Sequence, residues 1–394
     1  MKKCPQKIKK MLKNLQKSGW RGYLVGKSLE ALILGGKIEK WEVLINKECK
    51  NIEQFFPEEM RFEVIFFEGD INEYLKKQLF TIDAVAFDGG SFLDPYAGQM
   101  DIENQCLRMC SDPQSVFEKK PVAILEAIEK AANTGYEADQ EIRKSIRSCC
   151  ELLKGIQKRD LTLWFQNIMI APHAGKALRL MDECGMISLI VGDQIYRHRN
   201  KKEIAAFQKY MEKIDQTLPI LERRIVSFYL GFWKGNDSKA MANLEYDEDL
   251  REKLDFAHSH LSDLYYIHRP IDLKNYLYKY GLKRYTFLDN ISKIQTKVYG
   301  LDSKPIEVRQ AVFKRIAAQN EPVFLEDLSM NTEVLLREGL AKDRTAAEKL
   351  LELLLYVVHR HPDYNDPQRL LSQAYRLNRN PMKRFYYRCY SRKL

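Results

Sequence analysis

Residues 22–46 read GYLVGKSLEALILGGKIEKWEVLIN, and this stretch decides the fold of the first part of the chain. Two short runs of β-branched and aromatic residues, GYLVG and EVLIN, flank a helical segment around Leu29–Leu34. Further runs of the same kind follow, FEVIFF, FTIDAVAF and SFLDPYA, with Gly and Asp between them. Together they predict a small α/β domain that ends near residue 112.

Helical periodicity dominates on both sides of this domain. Residues 1–21 carry lysines and one arginine but no acid, and apolar residues recur at helical spacing, which predicts an amphipathic helix with a cationic outer face. From Pro121 onward the periodicity continues to the end of the chain. We therefore predict an α/β head domain over 1–115, an all-helical neck over 116–215, and a helical body and tail over 216–394.

Composition and charge narrow the class of protein. The chain has 394 residues, 45% of them hydrophobic and 30% charged, as in ordinary globular proteins. The net charge of +10 favours a polyanionic partner, of which nucleic acid is the usual one. The sequence contains no apolar run long enough for a membrane helix and no secretory signal, so we expect a cytoplasmic protein whose eight cysteines are reduced thiols.

The order of the segments resembles the class II tRNA nucleotidyltransferases (CCA-adding enzymes) and bacterial poly(A) polymerases. YLVGKSLEALILGG resembles the opening motif GGxVRDxLLG, and KIEKWEVLIN lies where the family has its DxD strand. LKKQLFTIDAVAFD is similar to RRDFTxNAxAxD, and FLDPYAGQMDIENQCLR to IDPxGGxxDixxxxiR. FEKKPVAILEAIEKAANTGY then resembles FxEDxLRxxRaxRFaxxlGF, the helix that opens the neck. The match covers roughly residues 8–190 and implies a nucleotidyltransferase-like head followed by an all-α neck and body.

The resemblance implies a chemistry that depends on a few side chains. Two acidic residues on one strand, one residue apart, point the same way and hold two magnesium ions, which activate an RNA 3′ hydroxyl against a triphosphate. The glycine pair lets the backbone approach the phosphates. In the neck, an acid–arginine pair reads the edge of the incoming base.

Most of these positions hold other residue types here. Gly26 is kept but the second glycine is Lys27, and the two metal carboxylates become Lys40 and Glu42. The other departures, in chain order, are Glu30, Ala31, Gln78, Leu79, Asp83, Lys119, Lys120, Ala123, Glu126 and Glu129, of which Lys119, Lys120 and Ala123 stand at the base-reading positions.

An ammonium at Lys40 would lie where two divalent cations must collect, and close like charges in a partly buried site cost several kcal/mol, on the order of 4. Glu42 alone cannot bridge two magnesium ions. Residues that shape the family's frame are kept, namely Gly26, Gly35, Asp94, Pro95, Gly98, Asp101, Phe117 and Gly135. We therefore predict a preserved fold without catalytic residues, nucleotide site, metal or other cofactor.

Alternatives remain for several side chains. Asp83 or Asp88 could join Glu42 as substitute carboxylates for magnesium, although aspartates beside a Gly-Gly turn are more often turn formers. His258 with His260, and His359 with His361, are two residues apart and point in different directions on a helix, so we predict no zinc site.

The C-terminal segment RLNRNPMKRFYYRCYSRKL is basic, has no acid and interleaves aromatic residues. Cations that neutralise phosphates and rings that stack on bases predict an RNA contact. The predicted RNA-binding residues are Arg376, Arg379, Lys383, Arg384, Tyr387, Arg388, Arg392 and Lys393. A second such stretch is NYLYKYGLKRYTF, residues 275–287. The alternative for both is a solvated helix whose tyrosines cover the body.

Three hypotheses follow. The first is an RNA-binding, specifically tRNA-binding, paralogue that has lost nucleotidyl transfer. The second is a divergent but active nucleotidyltransferase that uses Glu42 with Asp83 or Asp88. The third is a protein-interaction subunit whose tyrosine-rich helices form a docking face.

Overall fold

The structure, a computed structural model, describes residues 4–47, 52–232 and 238–380. The chain forms two compact units, Met1–Leu221 with Lys239–Tyr246, and Glu222–Ser238 with Asp247–Leu394. The predicted boundary between 115 and 116 lies inside the first unit, so the three-domain division stays a prediction. The predicted fold class, an α/β head followed by helices, is confirmed.

A five-stranded sheet organises the start of the first unit. Its strands are β1 Gly22–Leu24, β2 Trp41–Ile45, β3 Phe62–Phe66, β4 Ala86–Phe87 and β5 Phe92–Leu93, in the spatial order β3-β2-β1-β4-β5. Strands β2 and β3 are parallel and the other neighbours are antiparallel. Each strand comes from one of the predicted β-branched or aromatic runs.

Helices cover the sheet and continue beyond it. In the first unit they are α1 Gln6–Lys17, α2 Gly26–Leu34, α3 Ile71–Lys76, α4 Gly98–Glu103, α5 Pro113–Lys119, α6 Val122–Thr134, α7 Gln140–Cys149, α8 Lys158–Ile170, α9 Ala174–Glu183, α10 Ile187–Val191, α11 Asp193–Arg197 and α12 Lys201–Lys213. A parallel pair of short strands, β6 Cys106–Leu107 and β7 Glu137–Ala138, ties the ends of α4 and α6 together. Helix α1 buries Ile8, Met11, Leu12 and Leu15, so the predicted amphipathic helix is confirmed.

The retained frame residues have structural reasons. A Cβ at Gly98 would lie 2.0 Å from the Thr81 carbonyl oxygen, so only glycine lets α4 approach that turn. Asp94 accepts the backbone N–H of Gly98 at 2.7 Å and so starts α4. Buried Asp101 accepts the Thr81 hydroxyl at 2.5 Å and an Arg108 guanidinium N–H at 2.8 Å. These contacts fix the region beside the sheet without any ligand.

The second unit is helical in its described part. The remaining helices are α13 Leu221–Tyr229, α14 Glu248–His260, α15 Pro270–Tyr299, α16 Lys304–Ala318, α17 Thr332–Arg337, α18 Arg344–Arg360 and α19 Pro367–Arg379. Helix α15 is kinked at Gly281, whose φ is +81°. Charge is buried here, with Arg309 donating to Asp289 at 2.7 Å. Within the described ranges, no helix is long and apolar enough to cross a membrane.

Candidate functional site

Glu42 lies on β2 beside the start of α2, where the resemblance places the metal site. Helix α2 has Val25 at its N-cap, whose side chain cannot accept a hydrogen bond. The Glu42 carboxylate does so from the neighbouring strand, accepting the backbone N–H of Lys27 at 2.8 Å. A carboxylate at a helix N-terminus satisfies an otherwise unpaired donor and complements the helix dipole. Glu42 therefore has a structural partner at the start of α2.

Gly26 makes this contact possible. Its φ of +61° lies in the left-handed region, and a Cβ built there would lie only 1.8 Å from Glu42 Oε2. Ser28 completes the arrangement, because its hydroxyl donates to the Val25 carbonyl and accepts the Glu42 backbone N–H, each at 3.0 Å. The absence of a Cβ at Gly26 thus leaves room for the Glu42 carboxylate beside the turn.

Lys40 precedes β2 and forms an ion pair with Glu63 on β3. In the parallel register Glu63 is the partner of Glu42, so the two carboxylates stand side by side. Sequence reasoning missed Glu63. The run FEVIFF predicts a strand that contains Glu63, but that this strand runs parallel to β2 and in this register could not be inferred from the sequence.

The charges of Lys40, Glu42 and Glu63 partly balance one another. Partial burial, more than any other influence, raises the pKa of Glu42, and the Lys27 N–H opposes the rise. The hydrogen bond to Glu63 raises the pKa of Lys40. Two-metal chemistry needs ionised carboxylates that are free to coordinate. The donor set of Lys40, Glu42 and Glu63 does not fit a magnesium pair, because one is a cation and both carboxylates already accept hydrogen bonds.

The predicted substitute carboxylates have other partners as well. Asp88 accepts the backbone N–H groups of Gly90 and Ser91, each at 2.7 Å, which is the role of a turn former. Asp83 accepts from the Lys130 ammonium at 2.6 Å. Over the described parts of the chain, no group of three or more His, Cys, Asp or Glu side chains is arranged to hold a metal ion.

Two of the three base-reading positions line a groove of the first unit. Lys119 and Lys120 line a cavity of about 800 Å³ together with Val122, Leu152 and Trp164. Ala123 is fully buried and lies outside that lining. The two lysines stand where the family motif has two acids, Ala123 stands where it has an arginine, and the Lys120 ammonium is ion-paired with Glu126 at 2.7 Å.

Of the predicted RNA-binding residues, two fall in the described chain. Arg376 and Arg379 are exposed at the end of α19, beside exposed Tyr375, and line a shallow groove with it. Lys383, Arg384, Tyr387, Arg388, Arg392 and Lys393 lie outside the described residues.

The second basic stretch is divided between the core and the surface. Tyr276 and Tyr285 are buried, as the alternative of tyrosines that cover the body requires, but Tyr278 is exposed. Lys283 and Arg284 follow the Gly281 kink and line a cavity of about 590 Å³. The stretch therefore presents both cations and an aromatic ring to solvent.

The remaining candidates are structural. His359 is buried, and its ring nitrogens lie 2.8 Å from Asn275 Oδ1 and 3.0 Å from the Val323 carbonyl oxygen. Six described cysteines are free thiols. Burial raises the pKa of Cys110 to about 12 and that of Cys184 to about 11, so neither is an activated nucleophile.

A carboxylate-bearing strand packed beside a glycine turn, with helices following it, is the arrangement that the predicted resemblance requires. No family model matches the chain. The CCA-adding enzyme of Geobacillus sp. (strain WCH70) is 25% identical over 220 residues, covering 47% of this chain and 54% of that enzyme. The CC-adding tRNA nucleotidyltransferase of Shouchella clausii is 24% identical over 206 residues, with the same shares. The chain thus spans about half the length of the curated relatives it matches.

Solved structures extend the likeness in fold to nearly the whole chain. The CCA-adding enzyme of Bacillus stearothermophilus in complex with CTP has a TM-score of 0.70 at 18% identity, covering 96% of this chain and 98% of that one. The Thermotoga maritima CCA-adding enzyme complexed with tRNA has a TM-score of 0.62 at 15% identity, covering 94% and 96%. The sequence of the first half and the fold of nearly the whole chain confirm the predicted resemblance to the class II tRNA nucleotidyltransferases.

Proposed function

We propose that this protein binds RNA of the tRNA kind in the cytoplasm and does not itself transfer nucleotides. The loss of nucleotidyl transfer is supported by one observation: the residues at the family's two metal positions are already paired with other groups of this chain. Lys40 is bound to Glu63, and Glu42 caps α2 through the Lys27 N–H. A metal pair would have to displace an ammonium group and break a helix cap, both of which oppose its binding.

Charge and fold support the RNA-binding part. The chain carries a net charge of +10, and Arg376 and Arg379, the two predicted RNA-binding residues that the structure describes, are exposed on α19. The Thermotoga maritima enzyme, which shares the fold, is complexed with tRNA. Contacts to phosphates from arginines, with a ring such as Tyr375 available to stack, are the expected chemistry of such a surface.

A gel shift with tRNA tests the RNA-binding part. We expect retention at low salt that weakens steeply as salt rises, because each phosphate contact releases counterions. Arg376→Glu/Arg379→Glu should weaken binding about tenfold or more at 0.1 M salt and flatten the salt dependence. The control Lys342→Glu/Lys349→Glu makes the same charge change at exposed sites at the start of α18 and should have a much smaller effect. Absence of any RNA retention in the unaltered protein would refute the proposal.

The rival hypothesis of a divergent transferase is favoured by one observation, the adjacent carboxylates of Glu42 and Glu63. It is tested by incubating tRNA that lacks its terminal triplet with labelled CTP, ATP and magnesium or manganese. Incorporation that disappears in both Glu42→Ala and Glu63→Ala would establish the transferase and refute the loss of transfer. We expect none.

The hypothesis of a protein-interaction subunit is favoured by the groove beside Lys119 and Lys120, where Val122 and Leu152 are exposed apolar residues. It predicts stable co-purification with a protein partner and an absorbance spectrum without nucleic acid. Val122→Ser/Leu152→Ser should release such a partner and leave RNA retention unchanged. A protein that co-purifies with RNA and keeps it in this variant favours the RNA-binding proposal.

A further inference from the structure

An ion pair joins helix α6 to the sheet part of the first unit. The Lys130 ammonium donates to Asp83 Oδ1 at 2.6 Å and lies 6.0 Å from the centre of the Phe80 ring. Both charged side chains are only 25% exposed, so the pair is largely desolvated. Asp83 belongs to the short turn that follows Phe80, and Lys130 comes from the middle of α6.

A second contact lies beside the first. The Tyr136 hydroxyl donates to Glu30 Oε2 at 3.2 Å, and both residues are buried. Burial raises the pKa of Glu30, while the charge of Lys130 opposes the rise and the charges of Asp83 and Glu42 add to it. Glu30 lies on α2, whose N-terminus Glu42 caps, and the network therefore begins directly behind that cap.

All four positions depart from the motifs that the chain resembles. Glu30 stands at the arginine of GGxVRDxLLG, and Asp83 at the asparagine of RRDFTxNAxAxD. Lys130 and Tyr136 stand at the two later phenylalanines of FxEDxLRxxRaxRFaxxlGF. The new groups complement one another, acid with base and acid with hydroxyl. If these four residues had been substituted independently of one another, a buried charge would have been left without a partner, which is strongly destabilising.

We propose that Glu30, Asp83, Lys130 and Tyr136 form an internal lock that holds α2 and the Thr81–Asp83 turn against α6 and the residues that follow it. Lys130 is the cation of this lock, ion-paired with Asp83 and close enough to Glu30 to oppose the effect of its burial. The lock goes beyond the proposed function because RNA takes no part in it. It explains why these four positions hold residues that complement one another, which the loss of catalysis alone does not explain.

The ion pair is tested by a double-mutant cycle of Asp83→Asn and Lys130→Met in urea denaturation. Each single variant should raise the unfolding equilibrium constant about tenfold to a hundredfold, and the double variant should raise it at least about fivefold less than the product of the two. Lys154→Met is the matched control, since Lys154 is paired with Glu151 at the surface of the same unit and should shift the constant less than about fivefold. A double variant equal to the product overturns the lock.

Further measurements keep the proposal testable if Lys130→Met does not fold. Lys130→Arg retains the charge and should fold. Tyr136→Phe with Glu30→Gln forms a milder cycle on the second contact, which should also be less than multiplicative.

Amide exchange in the turn at Thr81–Asp83 should be about tenfold faster in Asp83→Asn, because the lock is opened. Adding CTP and magnesium to the unaltered protein should leave that exchange unchanged. Protection of the turn by CTP would mean that a ligand, and not these four residues, holds this region together, and would overturn the proposal.

Discussion

Substituting Gly26 by alanine should disrupt the contact between Glu42 and α2. The φ of +61° is unfavourable for alanine, by about 1 kcal/mol. The new Cβ would lie 1.8 Å from Glu42 Oε2, so the carboxylate must leave Lys27. Loss of a helix cap costs about 1 kcal/mol more. The free energy of unfolding should therefore fall by about 2 kcal/mol in Gly26→Ala.

By the same reasoning, the losses of unfolding free energy in Gly26→Ala and Glu42→Ala should not add in the double variant. Glu42→Ala removes only the cap and should cost about 1 kcal/mol. In Gly26→Ala/Glu42→Ala the clash no longer exists, so the total should be about 2 kcal/mol and not the additive 3. Glu42→Gln keeps an acceptor for the Lys27 N–H and should cost less than about 0.5 kcal/mol.

Urea denaturation followed by tryptophan fluorescence suits this measurement, because three of the four tryptophans lie in the first unit. Gly36→Ala is the matched control. A Cβ there would meet nothing closer than 3.6 Å, in ordinary contact. Additive losses in the double variant, or a Gly26→Ala loss no larger than that of Gly36→Ala, would refute the close contact between the turn and Glu42.

Three other expectations concern the frame of the fold. Gly98→Ala should lose about 3 kcal/mol of unfolding free energy, because its Cβ would lie 2.0 Å from the rigid Thr81 carbonyl; a loss below about 1 would contradict that packing. Arg309→Met removes a buried cation from Asp289 and should lose about 3 kcal/mol by the same urea assay, with a near-neutral result contradicting the ion pair. Burial lowers the pKa of His359 from 6.5 to about 4, so the unfolded chain takes up its proton first as pH falls. Between pH 7.5 and 5 this residue should therefore remove about 2 kcal/mol of stability, a loss absent from His359→Gln; equal pH dependence in the two proteins would contradict it.

The sequence was informative where structure depends on local pattern. The β-branched and aromatic runs EVLIN and FEVIFF predict β2 and β3, and helical spacing predicts α1, because both patterns involve only neighbours along the chain. The kept glycines were predictable for the same reason: Gly35 and Gly135 end helices in the left-handed region with φ of +74° and +73°.

The site was only partly predictable, because its partners are far apart in the sequence. That Lys40 stands where a carboxylate is expected could be read directly, but its pairing with Glu63 depends on the register of two parallel strands. Likewise, Asp83 could be interpreted as a turn former or a metal ligand until Lys130, 47 residues away, supplied its partner. Contacts between residues this far apart in the chain produce no periodic pattern in a single sequence.

The most direct test of the central claim is a crystal structure of the protein soaked with magnesium and CTP. The account predicts that Lys40 stays on Glu63, that Glu42 keeps the Lys27 N–H, and that no metal density appears beside them. Magnesium coordinated by Glu42 and Glu63, with the triphosphate of CTP bridging it and Lys40 turned away, would contradict the account.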